Sequence, residues 1–181
     1  MAGRSFARRL YGLARPAQDA ASAYADAVRL LEQSTFGPNP ALVGRAIEIG
    51  AQAFLDEQYA APASQYPALK YVPAGGQATF CATDPDPQCA RDYYTLFLLQ
   101  NAFFRNALYN PDQLRQRVAF ALSQILVTSG LDVHEAYGMA GYQQIFLDNA
   151  FGNYQDILNK VTDPSSFRMT RQRRMTSAYA C

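Results

Sequence analysis

Tryptophan is missing from this 181-residue sequence, histidine occurs once and cysteine three times. The scarcity of histidine limits the chemistry. A Ser/His or Cys/His catalytic pair would have to use His134, and a zinc site built from Cys and His is not expected. His134-Glu135 opens like the zinc-protease pattern His-Glu-x-x-His, but Gly138 stands where the second ligand belongs. The plainer reading is a solvated histidine in the first turn of a helix. No Gly-x-Ser-x-Gly elbow occurs, and Gly75-Gly76 lacks the Lys-Ser/Thr that grips a phosphate and magnesium. Nothing implies a cofactor. Long apolar runs are also lacking. A membrane-spanning helix needs about 20 apolar residues, and the longest candidate, Val118–Val127, is broken by Ser123 and Gln124.

Acids are missing from both ends. Residues 1–18 carry Arg4, Arg8, Arg9 and Arg15, residues 165–181 carry Arg168, Arg171, Arg173 and Arg174, and neither stretch holds an Asp or Glu. Of the 16 basic and 15 acidic residues, eight basic and all the acidic ones lie between, so the body is acidic. Basic ends can neutralise phosphates. No aromatic platform or reading helix accompanies them, however, and an acidic body repels nucleic acid, so nucleic-acid binding is not expected. The first 18 residues lack the apolar core and cleavage site of an export signal, although they could pass for an Arg-rich transit peptide. Residues 1–18 and 163–181 both read as solvated, disordered ends.

What is present is ordinary globular material: 49% hydrophobic and 17% charged residues, with 12 Tyr and 11 Phe. One domain, 19–162, has length enough for a core. Ala23, Ala27, Leu30 and Leu31 place a helix over 19–33. Asn39-Pro40 starts the next, since Asn caps and Pro fits the first turn, and Gly50 ends it. A short helix holds Phe54, Leu55, Gln58 and Tyr59. Residues 61–88, with five prolines and Gly75-Gly76, form a long irregular loop. Helical spacing resumes over 90–109. Asn110-Pro111 repeats the cap-plus-Pro signal and starts a helix over 111–129, with Asp112 at its positive end. The second half of that helix is apolar nearly all round, so it is expected to be central and buried. Asp132 and Glu135 have capping-box spacing for a helix through Phe151, and Asn153 caps a last one. No strand alternation or repeat occurs. The fold is all-α, an irregular array of helices.

Candidate sites are few. Gln113, Arg117, Gln124 and Thr128 fall on one polar seam of the 111–129 helix, with Arg115 beside it. A buried seam must find partners. It either lines a pocket or ties helices together, and the structural reading is preferred. Asp84 and Asp86 could hold a hard cation, but two carboxylates in a Pro-rich loop are more simply a solvated turn. Cys81 and Cys89 flank "CATDPDPQC". In an exported protein they can pair; in a reducing cytosol they stay thiols. Cys181 has no evident partner.

Three stretches, "RLLEQSTFGPNPALV" at 29–43, "LRQRVAFALSQILVTSG" at 114–130 and "YQQIFLDNAFGNYQDILNKVT" at 142–162, resemble in order and spacing the N-terminal part of the bacterial DUF1800 family. The resemblance covers about Tyr24 to Thr162, on the motifs themselves. It implies a mostly helical, exported or periplasmic protein, often encoded beside a second exported protein, with no established activity. It therefore favours a Cys81–Cys89 disulfide. The family pattern of a Pro-Ala-Met-Gly-like segment does not follow Thr162, so residues from about Asp163 are expected to be a truncated or frame-shifted end. The missing export signal likewise points to a misplaced start. The expected role is a structural or partner-binding module, partnered by the co-encoded exported protein, with apolar faces left open to self-association. The rival is the N-terminal part of an enzyme, to which Arg115, Arg117 and Gln124 contribute pocket residues.

Overall fold

A computed structural model of the chain describes residues 19–73, 75–130 and 136–163. Among these residues the structure is helical, with no strand. The expectations that fall on 1–18, on His134 and the Asp132–Glu135 capping box, and on the arginines of the tail lie outside the described residues.

The first three helices form one packing unit. α1 (Ala20–Ser34) begins where the Asp19 side chain accepts from Ser22 N. α2 (Pro40–Ile49) begins where Asn39 accepts from Leu42 N, with Pro40 in the first turn. Gly50, at φ 82°, ends α2 and starts α3 (Ala51–Ala60) within one residue, a reversal that a left-handed backbone permits and a β-carbon disfavours. Ala27, Leu31, Val43, Ala46 and Phe54 close together as their core.

From Ala61 to Pro73 the chain runs without helix, as a strap across the molecule. Contrary to the expectation of an irregular loop to residue 88, α4 (Gln77–Thr83) and α5 (Cys89–Tyr94) follow within and at the end of that region. The single helix expected over 90–109 is two. Thr95 separates α5 from α6 (Phe97–Tyr109), its hydroxyl donating to Arg91 O at 2.5 Å while accepting from Phe97 N at 3.2 Å. A hydroxyl serving both sides of a break gives the backbone an alternative to continuing the helix.

α7 (Gln113–Ile125) touches α1, α3, α6 and α8 (Ala136–Asp148). It is central in the chain of contacts, as expected, but not buried all round. It stops at Ile125 rather than 129, and Ile125 and Val127 are 65% and 76% exposed. The buried residues of α7 are Gln113, Gln116 and Ala119. The deeply buried helix is α8. Met139, Tyr142, Ile145, Phe146 and Leu147 are all inside, and Ala136, Gly138 and Ala140 keep its bulk small enough for neighbours to approach. α8 ends at Asp148, short of Phe151. α9 (Tyr154–Thr162), capped by Asn153 accepting from Gln155 N, lays Ile157 on it. At Gly130 a β-carbon would stand 2.7 Å from Leu96 Cδ1, so a larger residue there would have to push that methyl aside.

Candidate functional site

The strap is held by side chains brought from far along the chain. Ser64 donates from N and Oγ to the Asp112 carboxylate, at 2.8 and 2.6 Å. Tyr66 N donates to Gln144 Oε1 of α8 at 2.8 Å. Asn110 Nδ2 donates to Ser64 Oγ at 2.7 Å and to Asn106 Oδ1 at 2.9 Å. Gln113 Nε2 donates to the carbonyls of Asn106 and Asn110, which close α6. Gln58 of α3 accepts from Leu114 N, one of the free donors in the first turn of α7. The result is a junction of Ser64, Asn106, Asn110, Asp112, Gln113 and Gln116 where α6, α7 and the strap meet. Asp112, Gln113, Gln116 and Asn106 are buried in it. Asn106 Nδ2 alone has no partner there. Burial also pushes the Tyr66 phenol up to about 12.

This junction alters two expectations. Asn110 caps the end of α6 rather than the start of α7. Asp112 does precede α7, but its carboxylate caps none of the helix's first backbone N–H groups and is turned to Ser64 and the Gln116 side chain instead.

The polar seam expected on one helix, with Arg115 beside it, is divided among four surroundings. Arg115 Nη1 donates to Leu147 O near the end of α8 at 3.1 Å, and its guanidinium lies 4.6 Å from the Phe151 ring centroid. That is a helix-end and cation–π contact, a packing role. Arg117 and Gln124 do share a cleft, of about 270 Å³, with Gln33 of α1, and Arg117 lies 5.6 Å from the Phe36 ring. Thr128 is past the helix end and hydrogen-bonds the Tyr142 hydroxyl, which also donates to Leu126 O. Gln113 belongs to the junction.

Comparison with known families decides the kinship. A model described as "Protein of unknown function (DUF1800)" matches residues 29–166, most of the chain. The chain belongs to the DUF1800 family. No curated protein and no solved structure matches it.

In this DUF1800 chain Cys81 and Cys89 are joined by a disulfide, with Cα atoms 5.6 Å apart. The bond clips α4 to α5. Beside it Lys70 Nζ meets Asp84 at 2.6 Å and sits 4.9 Å from the Phe80 ring. The hydrogen bond between them raises the Lys70 ammonium and lowers the Asp84 carboxyl. Asp84 is thus an ion-pair partner, and Asp86 accepts from Gln88 N as a turn former. Among the described residues no three His, Cys, Asp or Glu side chains gather as metal ligands, and no helix is long and apolar enough to cross a membrane. Replacing both cysteines with Ser should cost about 2–3 kcal/mol, the closure entropy of so short a loop. Urea unfolding of the double variant against the oxidised protein measures it. Equal midpoints would show that the clip adds nothing.

α6 carries four of the exposed large apolar side chains among the described residues. Phe104, Leu108 and Tyr109 are 60%, 66% and 80% exposed. Between α6 and α7 lies an apolar groove of about 310 Å³, walled by Leu99, Phe103, Phe104, Phe120 and Met139. Phe36, Phe103 and Phe120 pack as a ring trio beside it, with centroids 5.6–5.8 Å apart.

Proposed function

We propose that this DUF1800 domain is a partner-binding module of an exported protein, and that its partner is the second exported protein encoded beside such genes. The observation that carries the reading is the α6 ridge. Phe97, Phe104 and Leu108 recur at helical spacing along one stripe, exposed, next to an open apolar groove. A helix apolar on most sides is normally enclosed, and exposed apolar ridges of this kind mark interaction sites. The Cys81–Cys89 clip supports an oxidising location.

The enzyme reading draws less support. Arg115 is committed to Leu147 and Phe151, which leaves Arg117 and Gln124 as its pocket residues. No carboxylate among the described residues pairs with Arg117, so its cleft is where a small anion would be sought.

Co-expression with the neighbouring exported protein, followed by size-exclusion chromatography with light scattering, tests the proposal. A stable complex is expected, and Phe104→Glu with Leu108→Glu should weaken it about a hundredfold, the scale of losing two central anchors. If the same pair instead converts a self-associated form to monomer, the ridge's partner is a second copy and the heteromeric reading fails.

A further inference from the structure

α7 carries six polar side chains, and four of them are spent on the fold. Gln113 donates to the carbonyls of Asn106 and Asn110, Arg115 to Leu147 O, Gln116 to Asp112 and Ser123 Oγ to Phe120 O. Among the described residues, no hydrogen bond or ion pair engages the side chains of the other two, Arg117 and Gln124. Both line the cleft of about 270 Å³ between α7 and α1, where the Gln33 side chain is equally uncommitted. None of the ridge residues Phe97, Phe104 and Leu108 borders it.

Arg117 is positioned without spending a donor. Its guanidinium lies 5.6 Å from the Phe36 ring, a contact that uses none of its N–H groups. Phe36 is itself held by ring contacts with Phe103 and Phe120. A donor fixed before its ligand arrives loses less freedom on binding. The cleft holds no carboxylate and no second cation. Arg117 and Gln124 are seven residues apart, on one face of the helix and about 10 Å apart along its axis. Between them the lining is apolar, from Val118, Phe120 and Ala121.

We propose that this cleft binds a small organic acid with one carboxylate, an apolar body and a hydroxyl at its far end. The proposal stands apart from the partner surface on α6. The planar Arg117 fork takes the carboxylate, which matches its geometry. Val118, Phe120 and Ala121 cover the apolar body, whose removal from water adds to affinity. The Gln124 amide, which both donates and accepts, takes the hydroxyl, and Gln33 offers a second amide from α1. A lone cation matches a single negative charge, whereas phosphate sites gather several donors at a helix N-terminus or a cluster of cations. An extended peptide needs a backbone edge to pair with. The main chain from Leu114 to Ala121 offers none, because its groups are spent within α7 or, at Leu114 N, on Gln58.

Calorimetric titration of the full chain with 4-hydroxyphenylacetate tests the proposal. Phenylacetate, which lacks the hydroxyl, and 4-hydroxyphenylacetamide, which lacks the charge, are run alongside. Inorganic phosphate and an acetylated Glu-rich peptide complete the set. Side-chain amide resonances of Gln33 and Gln124 are followed by NMR. The hydroxy acid is expected to bind, to shift those amides, and to bind about tenfold more tightly than its uncharged amide, the worth of one charge-assisted hydrogen bond at a partly exposed site. Arg117→Gln should abolish that difference, so that acid and amide bind alike. Gln124→Ala should abolish the preference over phenylacetate. Gln124 is exposed, and an unchanged melting temperature verifies that its variant keeps the fold. The comparison of acid with amide is made on the unaltered chain, so it decides the matter even where Arg117→Gln disturbs the Phe36 contact. Absence of binding up to about 10 mM overturns the proposal. So does equal binding of acid and amide to the unaltered chain, or tighter binding of phosphate or the peptide than of the hydroxy acid.

Discussion

Replacing Asp112 with Ala is expected to destabilise the fold by about 3–5 kcal/mol, the cost of leaving three hydrogen-bond donors without their acceptor at about 1–3 kcal/mol each, less what relaxation recovers. The side chain is fully buried and accepts from Ser64 N, Ser64 Oγ and Gln116 Nε2. Ala would leave all three donors without their acceptor, and unmade buried hydrogen bonds cost more than made ones contribute. The loss would spread. Ser64 orients Asn110, and Asn110 orients Asn106, so the strap would come away from the start of α7. Asp112→Asn keeps the shape but puts a donor among donors, and an intermediate loss is expected. Denaturant unfolding of both variants measures the effect. An Asp112→Ala protein within about 0.5 kcal/mol of the parent would mean that the junction does not hold the strap, since that is the usual range of an inconsequential surface change.

Local features of this fold are readable from the sequence. Asn39, Asn153 and Gly50 act at the helix ends where residue type and spacing place them, because a cap is a contact between residues two to four apart. The all-α class, the last helix and the family follow from the same short-range patterns. The junction does not. Its bonds join Ser64 to Asp112, Gln58 to Leu114 and Tyr66 to Gln144, over 48, 56 and 78 residues, and no local period announces such pairs. Asn110 shows the conflict in one residue. Beside Pro111 it looks like a cap for the following helix, but its amide turns back to Asn106 and across to Ser64. The break at Thr95 could have been found locally, since a Thr hydroxyl that bonds its own backbone competes with the helix. The four residues Arg115, Arg117, Gln124 and Thr128 separate because a seam drawn on one ideal helix ignores where that helix stops and which neighbours meet it. α7 stops at Ile125, Thr128 falls to Tyr142, and Arg115 meets the end of α8.

The helix taken for the centre also changes, and a second large effect follows from that. Each helix meets four others, α7 touching α1, α3, α6 and α8, and α8 touching α5, α6, α7 and α9, but α7 leaves its outer end uncovered while eight residues of α8 are buried. Phe146 is fully buried there, with its ring edge-on to Tyr142 at 4.9 Å and with Ala119, Ile145, Leu147 and Ile157 in the same cluster. Phe146→Ala should therefore cost about 3–5 kcal/mol, transfer of the ring plus the cavity it leaves. At 2–4 °C per kcal/mol this lowers the melting temperature by about 10 °C. Ile125→Ala is the matched comparison. Were α7 the enclosed helix, truncating Ile125 would cost about 2–5 kcal/mol. With Ile125 largely in solvent, a loss of about 0.5 kcal/mol is expected instead. Thermal unfolding of the two variants side by side separates the alternatives. A larger loss at Ile125 than at Phe146 would move the centre of the core back to α7. The expected order places it on α8, and leaves Ile125 at the end of α7 and Val127 just past it as apolar surface lying outside the core.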